Sequence, residues 1–134
     1  MLGERGFFGA YDVKIDDANR IIFPKYATIE PNDDIVFLNG GNHVIAYDSR
    51  VLLSKVKKLE EKIDNCKDEV LKEELKKELT LLLNSVLRQS RVDANRRIII
   101  GKVFKDEREA VIVGAGEKAY VLTRKQYNNQ KNMI

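Results

Sequence analysis

One pattern occurs twice in this chain, and the repeat limits what the chain can fold into more than any other feature. Ile15-Asp16-Asp17-Ala18-Asn19-Arg20-Ile21-Ile22-Phe23-Pro24-Lys25 lies over Val92-Asp93-Ala94-Asn95-Arg96-Arg97-Ile98-Ile99-Ile100-Gly101-Lys102. Each copy reads an apolar residue, Asp, three residues, Arg, three apolar residues, a turn-former and Lys. After a shift of two residues the match goes on. Ile35–Gly41 meets Ala110–Gly116, and Val44–Tyr47 meets Ala119–Leu122. Two copies are too few for a solenoid, whose units are stable only when stacked between neighbours. The repeat therefore predicts one pseudo-two-fold domain. At 134 residues, 43% of them hydrophobic, the chain is long enough to bury a core without disulfides or metal.

Both copies read as strands. Val13 to Asp16 and Ile21 to Phe23 flank an Asp- and Asn-rich turn. Ile35 to Leu38 and Val44 to Tyr47 flank Asn39-Gly40-Gly41-Asn42, residues that tolerate positive φ in a hairpin. The second copy has the same pair around Gly114-Ala115-Gly116-Glu117. This Gly-rich turn has no helix start behind it, so it reads as a hairpin and not as a phosphate cradle. Lys25 to Pro31 and Lys102 to Glu109 have room for a short turn of helix.

The middle of the chain differs in kind. From Asp48 to Gln89 there is neither Pro nor Gly. Leu52, Val56, Leu59, Ile63, Cys66 and Val70 step by fours and threes, a heptad stripe, and Leu71, Leu75, Leu79, Leu82 and Val86 continue an apolar face. Asp48 or Ser49 suits an N-cap. At Asp64-Asn65-Cys66-Lys67-Asp68, Asn65 can close one helix and Asp68 open the next. A helical hairpin is the favoured form, and one long helix of about 60 Å is the rival. The expectation is an α+β chain with one repeat over about 8–48, helices over about 49–89 and a second repeat over about 90–127.

Charge and cysteine content narrow the function classes. The net charge is +3, which permits contact with phosphate but does not establish it. Its distribution says more: Arg88, Arg91, Arg96, Arg97, Lys102 and Lys105 stand against Asp93 alone between positions 88 and 105, while the helices mix Lys and Glu evenly. The single Cys66 allows no internal disulfide, as in a reducing compartment. No run of about 18 apolar residues appears, so a cytoplasmic protein without membrane contact is expected. His43 has no second histidine and no nearby cysteine to share zinc. No side chain stands in a recognisable nucleophile setting, so neither catalysis nor a cofactor nor a small-molecule substrate is expected.

The Asp-x-x-x-Arg turns are the strongest chemical signal. A tight turn projects its arginine, whose guanidinium can pair with guanine O6 and N7 or grip phosphate. The aspartate can accept the turn's backbone N–H groups, which assigns Asp16 and Asp93 a structural role. A single such turn is an ordinary surface ion pair worth about 0–1 kcal/mol. Two at matching places in a repeat make Arg20 and Arg97 candidate contacts, and the family resemblance described next adds DNA as what they would contact. Asn19, Arg96, Arg91, Lys102, Lys14 and Lys25 flank them as further candidates; for the lysines and for Arg91 and Arg96 a merely solubilising role stays open.

Phe8-Gly9-Ala10-Tyr11 through Asp16, Arg20 and Pro24 resembles the amino-terminal block of the MraZ family of transcriptional regulators: Gly-x-Tyr, then apolar-Asp-x-x-x-Arg, three residues and Pro. Val92 to Ile100 resembles the second Asp-x-x-x-Arg block, Val111-Ile112-Val113-Gly114 the strand and turn behind it, and Leu81-Leu82-Leu83 a leucine run ahead of it. The chain departs from the family at Asn19 and Arg96, where Gly is usual, at Ala18 where Lys is common, at Gly101 where Pro is common, and in lacking a Trp near Leu122 or Thr123. The resemblance implies an AbrB-like swapped-hairpin β-barrel carrying helices. It also implies nucleoid-associated, ring-shaped homo-oligomers that bind short direct repeats in double-stranded DNA upstream of the cell-division and cell-wall genes, with both turns on the DNA face. The alternatives are an AbrB-like dimer of the antitoxin kind, and a scaffold that binds no DNA and assembles through its heptad helices.

Overall fold

The computed structural model describes residues 9–23, 29–102, 104 and 107–132. Phe8, Pro24, Lys25 and much of both segments expected to hold a short helical turn lie outside the described residues. The chain is a mixed α+β fold. Its strands are β1 (Ala10–Lys14), β2 (Arg20–Ile22), β3 (Asp34–Asn39), β4 (Val44–Asp48), β5 (Val86–Arg91), β6 (Arg97–Ile99), β7 (Glu109–Gly114) and β8 (Lys118–Thr123). Helices α1 (Ser49–Asn65) and α2 (Glu69–Asn84) separate the two copies, and α3 (Arg124–Asn132) follows the last strand.

Six strands form one antiparallel sheet in the order β1-β7-β8-β4-β3-β5, and β2 pairs with β6 in a separate antiparallel ribbon. The large sheet is open. Its two edges are β1 and β5, whose short neighbours β2 and β6 pair with each other and do not bridge them. The closed barrel implied by the family resemblance is thus not formed by these hydrogen bonds.

The two copies exchange strands. β1 of the first copy pairs with β7 of the second, and β5 of the second pairs with β3 of the first. The pseudo-two-fold axis is visible in the register. Ile45 stands opposite Tyr120, and Ile21 opposite Ile98, each residue facing its own equivalent from the other copy. The shared core follows the same symmetry. Ile15 and Val92, Ile21 and Ile98, Phe23 and Ile100, and Phe37 and Ile112 are all buried in one cluster. Where one copy has a small residue the other has a larger one, as at Ile35 and Ala110 or Ala46 and Val121. A larger residue in one copy set against a smaller one in the other lets both copies share one close-packed interior.

The helical segment is a hairpin. Asp48, fully buried, caps α1 by accepting the Arg50 N–H at 2.9 Å. Asp68 caps α2 by accepting from Val70 N–H at 3.0 Å and Leu71 N–H at 3.3 Å. Each cap satisfies donors that a helix start leaves without partners, an effect worth about 1 kcal/mol. Leu52, Leu59 and Ile63 of the stripe are buried, with Val56 and Cys66 half-buried. Leu52 covers Val36, Leu38 and Tyr47 on the sheet. Val70, expected to extend the stripe, is 72% exposed because the chain has already turned at Cys66 to Asp68.

The helices end earlier than the expected 49–89, with α2 stopping at Asn84. Val86 to Gln89 are strand, pairing with β3 through Leu38 to Val36, because an extended segment there satisfies the backbone of β3. Helix α3 was not expected. Its cap is reciprocal: Gln126 N–H donates to Thr123 Oγ1 at 3.1 Å, and Thr123 N–H donates to Gln126 Oε1 at 3.0 Å. With α3 in place the repeat extends further, since each copy's last strand runs straight into a helix.

Candidate functional site

The two Asp-x-x-x-Arg turns have the same geometry. In the first, Ala18 N–H and Arg20 N–H both donate to Asp16 Oδ1 at 2.9 Å. In the second, Asn95 N–H donates to Asp93 Oδ1 at 2.9 Å and Arg97 N–H at 2.8 Å. The backbone closes each turn as well: Asn19 N–H donates to Asp16 O at 3.0 Å and Arg96 N–H to Asp93 O at 3.0 Å. The closing residue must turn left-handed, and Asn19 has φ 59° and Arg96 φ 65°. Asn adopts this region readily, whereas Arg does so at a cost.

The second carboxylate oxygen of each aspartate holds an arginine side chain. Arg20 Nε donates to Asp16 Oδ2 at 2.8 Å, and Arg97 Nε donates to Asp93 Oδ2 at 2.9 Å. Both arginines are about one-third exposed. Among the described residues no acceptor meets their Nη1 and Nη2 groups, which leaves the outer edge of each guanidinium available. With Nε fixed, the guanidinium plane is pre-oriented, so less side-chain entropy is lost when it meets a ligand.

Strand register brings the two arginines onto one surface. In the β2–β6 ribbon Arg20 stands opposite Ile99, and Ile22 opposite Arg97. Ile21 and Ile98 point into the core, so Arg20, Ile22, Arg97 and Ile99 share the outer face. The arginines occupy diagonal positions, roughly 7–8 Å apart in ribbon geometry. Two further backbone bonds lock the ribbon, Phe23 N–H to Arg96 O and Ile100 N–H to Asn19 O, both 2.9 Å and equivalent across the axis.

The other candidate residues divide. Lys14 and Arg91 occupy equivalent places on the edge strands just before the turns, and both are exposed. Each stands opposite an acid in the ladder, Lys14 against Glu109 and Arg91 against Asp34. Arg91 Nε donates to Asp34 Oδ1 at 3.3 Å, so part of its charge is answered within the chain. Lys102 is exposed beyond the second turn. Arg96 turns inward: its side chain is 16% exposed, and its Nε donates to Phe23 O at 3.1 Å across the ribbon. Lys25 lies outside the described residues. Arg108, not among the residues expected from the sequence, joins the first turn: its Nη1 donates to Asp16 O at 3.4 Å and sits 3.8 Å from Asp17 Oδ1. Only the tertiary fold brings Arg108 to the first turn, and no local pattern pointed to it.

The hydrogen bonds set the charge state of the turns. The backbone N–H of Arg20 is the main cause that holds the Asp16 carboxyl below its ordinary value of 3.8, and the backbone N–H of Arg97 does the same for Asp93. A carboxylate whose pKa is lower when folded stabilises the fold above the unfolded pKa, and that contribution goes as pH falls through the folded pKa. The amide signals of Arg20 and Arg97 should therefore titrate with midpoints below 3.8. An NMR titration with midpoints at or above 3.8 would contradict this.

No metal-binding cluster of His, Cys, Asp and Glu occurs among the described residues, and none of their helices is long and apolar enough to cross a membrane. In comparisons with known proteins, no protein-family model and no curated protein matches the chain.

Proposed function

We propose that the protein is a sequence-specific DNA-binding regulator of the MraZ kind, without enzymatic activity, acting on double-stranded DNA at the nucleoid. The observation that carries this reading is the pair of equivalent arginines, each pinned at Nε by its own aspartate, on one exposed face of a two-stranded ribbon. The major groove admits such a ribbon, and a fixed guanidinium edge suits guanine O6 and N7. Arg91, Lys14, Lys102 and Arg108 supply the surrounding positive potential for phosphates. We read the exchange of first strands between the copies as the swapped-hairpin arrangement of AbrB-like proteins, with the ribbon packed on the sheet's core face through Ile21 and Ile98.

One ribbon offers few base contacts, so a single subunit would bind weakly. Adjacent subunits on adjacent direct repeats gain effective concentration. The exposed apolar residues of α2, with Val70 at 72%, Leu81 at 71% and Leu83 at 51%, support self-association, and a second copy is the occupant we assign to that helix. The test is a titration of the full chain with a duplex selected from a randomised library and with its scrambled counterpart, at two salt concentrations. We expect preference for the selected duplex, affinity falling steeply with salt, and light scattering that gives a multiple of the 15.4 kDa chain mass. Equal binding to both duplexes would remove the reading of sequence, and a monomer would remove the ring.

A further inference from the structure

The outer face of the ribbon holds two residues that a solvated strand does not call for. Ile22 is 55% exposed and Ile99 is 39% exposed. They are equivalents in the two copies, and each stands directly opposite a turn arginine, Ile22 against Arg97 and Ile99 against Arg20. Strand alternation puts polar residues on a face turned to water, and here both copies carry a β-branched hydrocarbon instead. Neither isoleucine contributes to the core, which is filled from this ribbon by Ile21 and Ile98. The face is therefore an alternation of cation and hydrocarbon in two dimensions, with direct neighbours about 4.5–5.5 Å apart.

An apolar protein surface is a poor match for it, because burying two guanidinium groups there would leave their outer donors unpaired. The floor of the DNA major groove is a good match. It presents guanine O6 and N7 acceptors beside the 5-methyl groups of thymine, the only hydrocarbon that the bases offer there. We propose that Ile22 and Ile99 each read a thymine 5-methyl group next to the guanine contacted by Arg97 and Arg20 respectively. This rests on the DNA-reading function above and adds a second base identity to what each half of the ribbon recognises.

The test replaces thymines, one at a time, by deoxyuridine in a duplex selected from a randomised library by the wild-type chain. Deoxyuridine keeps every hydrogen-bonding group and removes only the methyl. Wild type should bind about fourfold more weakly for each methyl that is read, the amount expected for one buried methyl-sized group. Ile22→Ala should show a similar loss on the unmodified duplex and no further loss when its own thymine is replaced, while remaining sensitive at the thymine assigned to Ile99. Ile99→Ala should show the mirror result, and Ile22→Val, which keeps the branched carbon, should stay close to wild type.

Melting curves like wild type are expected for all three variants, since both side chains lie outside the core. If wild type tolerates deoxyuridine everywhere, or the selected duplex holds no thymine beside guanine, the methyl contact is overturned while DNA reading stands. The same follows if both alanine variants respond to every replacement as wild type does. If no sequence is enriched at all, DNA reading itself fails and this inference falls with it.

Discussion

Replacing both Arg20 and Arg97 by alanine should abolish discrimination between the selected duplex and its scrambled form. Each guanidinium is already fixed by its aspartate at 2.8 or 2.9 Å, so each is a pre-organised contact and not a mobile charge. Losing one base-reading arginine costs about 1–3 kcal/mol, or roughly 5- to 150-fold in affinity. The ribbon places the second at an equivalent position, and losses at separate base pairs add approximately. Two such losses reduce specific affinity to the non-specific level that phosphate contacts alone supply. Arg20→Lys with Arg97→Lys should fail as well, because a lysine ammonium lacks the planar fork that serves Asp16 and a base edge at once. Binding titrations on variants with native melting decide the matter. Variants that still discriminate as wild type does would move the reading surface elsewhere.

Replacing Ile98 by alanine should cost far more stability than replacing either exposed isoleucine of the ribbon. Ile98 is 1% exposed and stands opposite Ile21, which is fully buried, on the pseudo-two-fold axis. Its side chain packs in the core cluster that residues of both copies build. Deletion of a buried isoleucine to alanine costs about 2–5 kcal/mol, of which the residual cavity is a substantial part. In a domain of this size that lowers the melting temperature by on the order of 10 °C. Ile99→Ala, one residue further along the same strand, should change stability by less than about 0.5 kcal/mol. Calorimetry that ranked the two variants equally would contradict the assignment of one face of the ribbon to the core and the other to a partner.

The repeat, the hairpins and the paired turns were legible in the sequence because they are local. Asp16 and Asp93 announce their turns through residues two and four positions away, and the left-handed closing position was marked at Asn19 by a residue type that accepts it readily. The break between the helices was legible for the same reason, with Asp68 as a cap for the residues just after it.

What stayed hidden depends on distant pairing. Nothing in Ala10–Lys14 says that its partner is Glu109–Gly114, and nothing near Arg20 says that Ile99 will lie beside it. Val86 to Gln89 looked helical because leucines precede it and no Pro or Gly interrupts it, yet the backbone of β3 needed a partner. Helix α3 carries no apolar pattern, with Tyr127 its single hydrophobic residue, and its sole local mark was the Thr123 and Gln126 capping pair. The inward turn of Arg96 was equally hidden, since its acceptor is the carbonyl of Phe23 in the other copy.

The strand exchange has a consequence for biosynthesis. β1 leaves the ribosome first, but its partner β7 follows about a hundred residues later. At roughly 5–20 residues per second, Ala10 to Lys14 waits about 5–20 s for a ladder to join. The first copy is complete in sequence by the end of β4, yet its β3 lacks β5 until the helical hairpin has been made. During that interval β1 and one edge of β3 have no partner strand within the chain. An open strand edge is a template for pairing with another chain, and the two helices set how long β3 presents one.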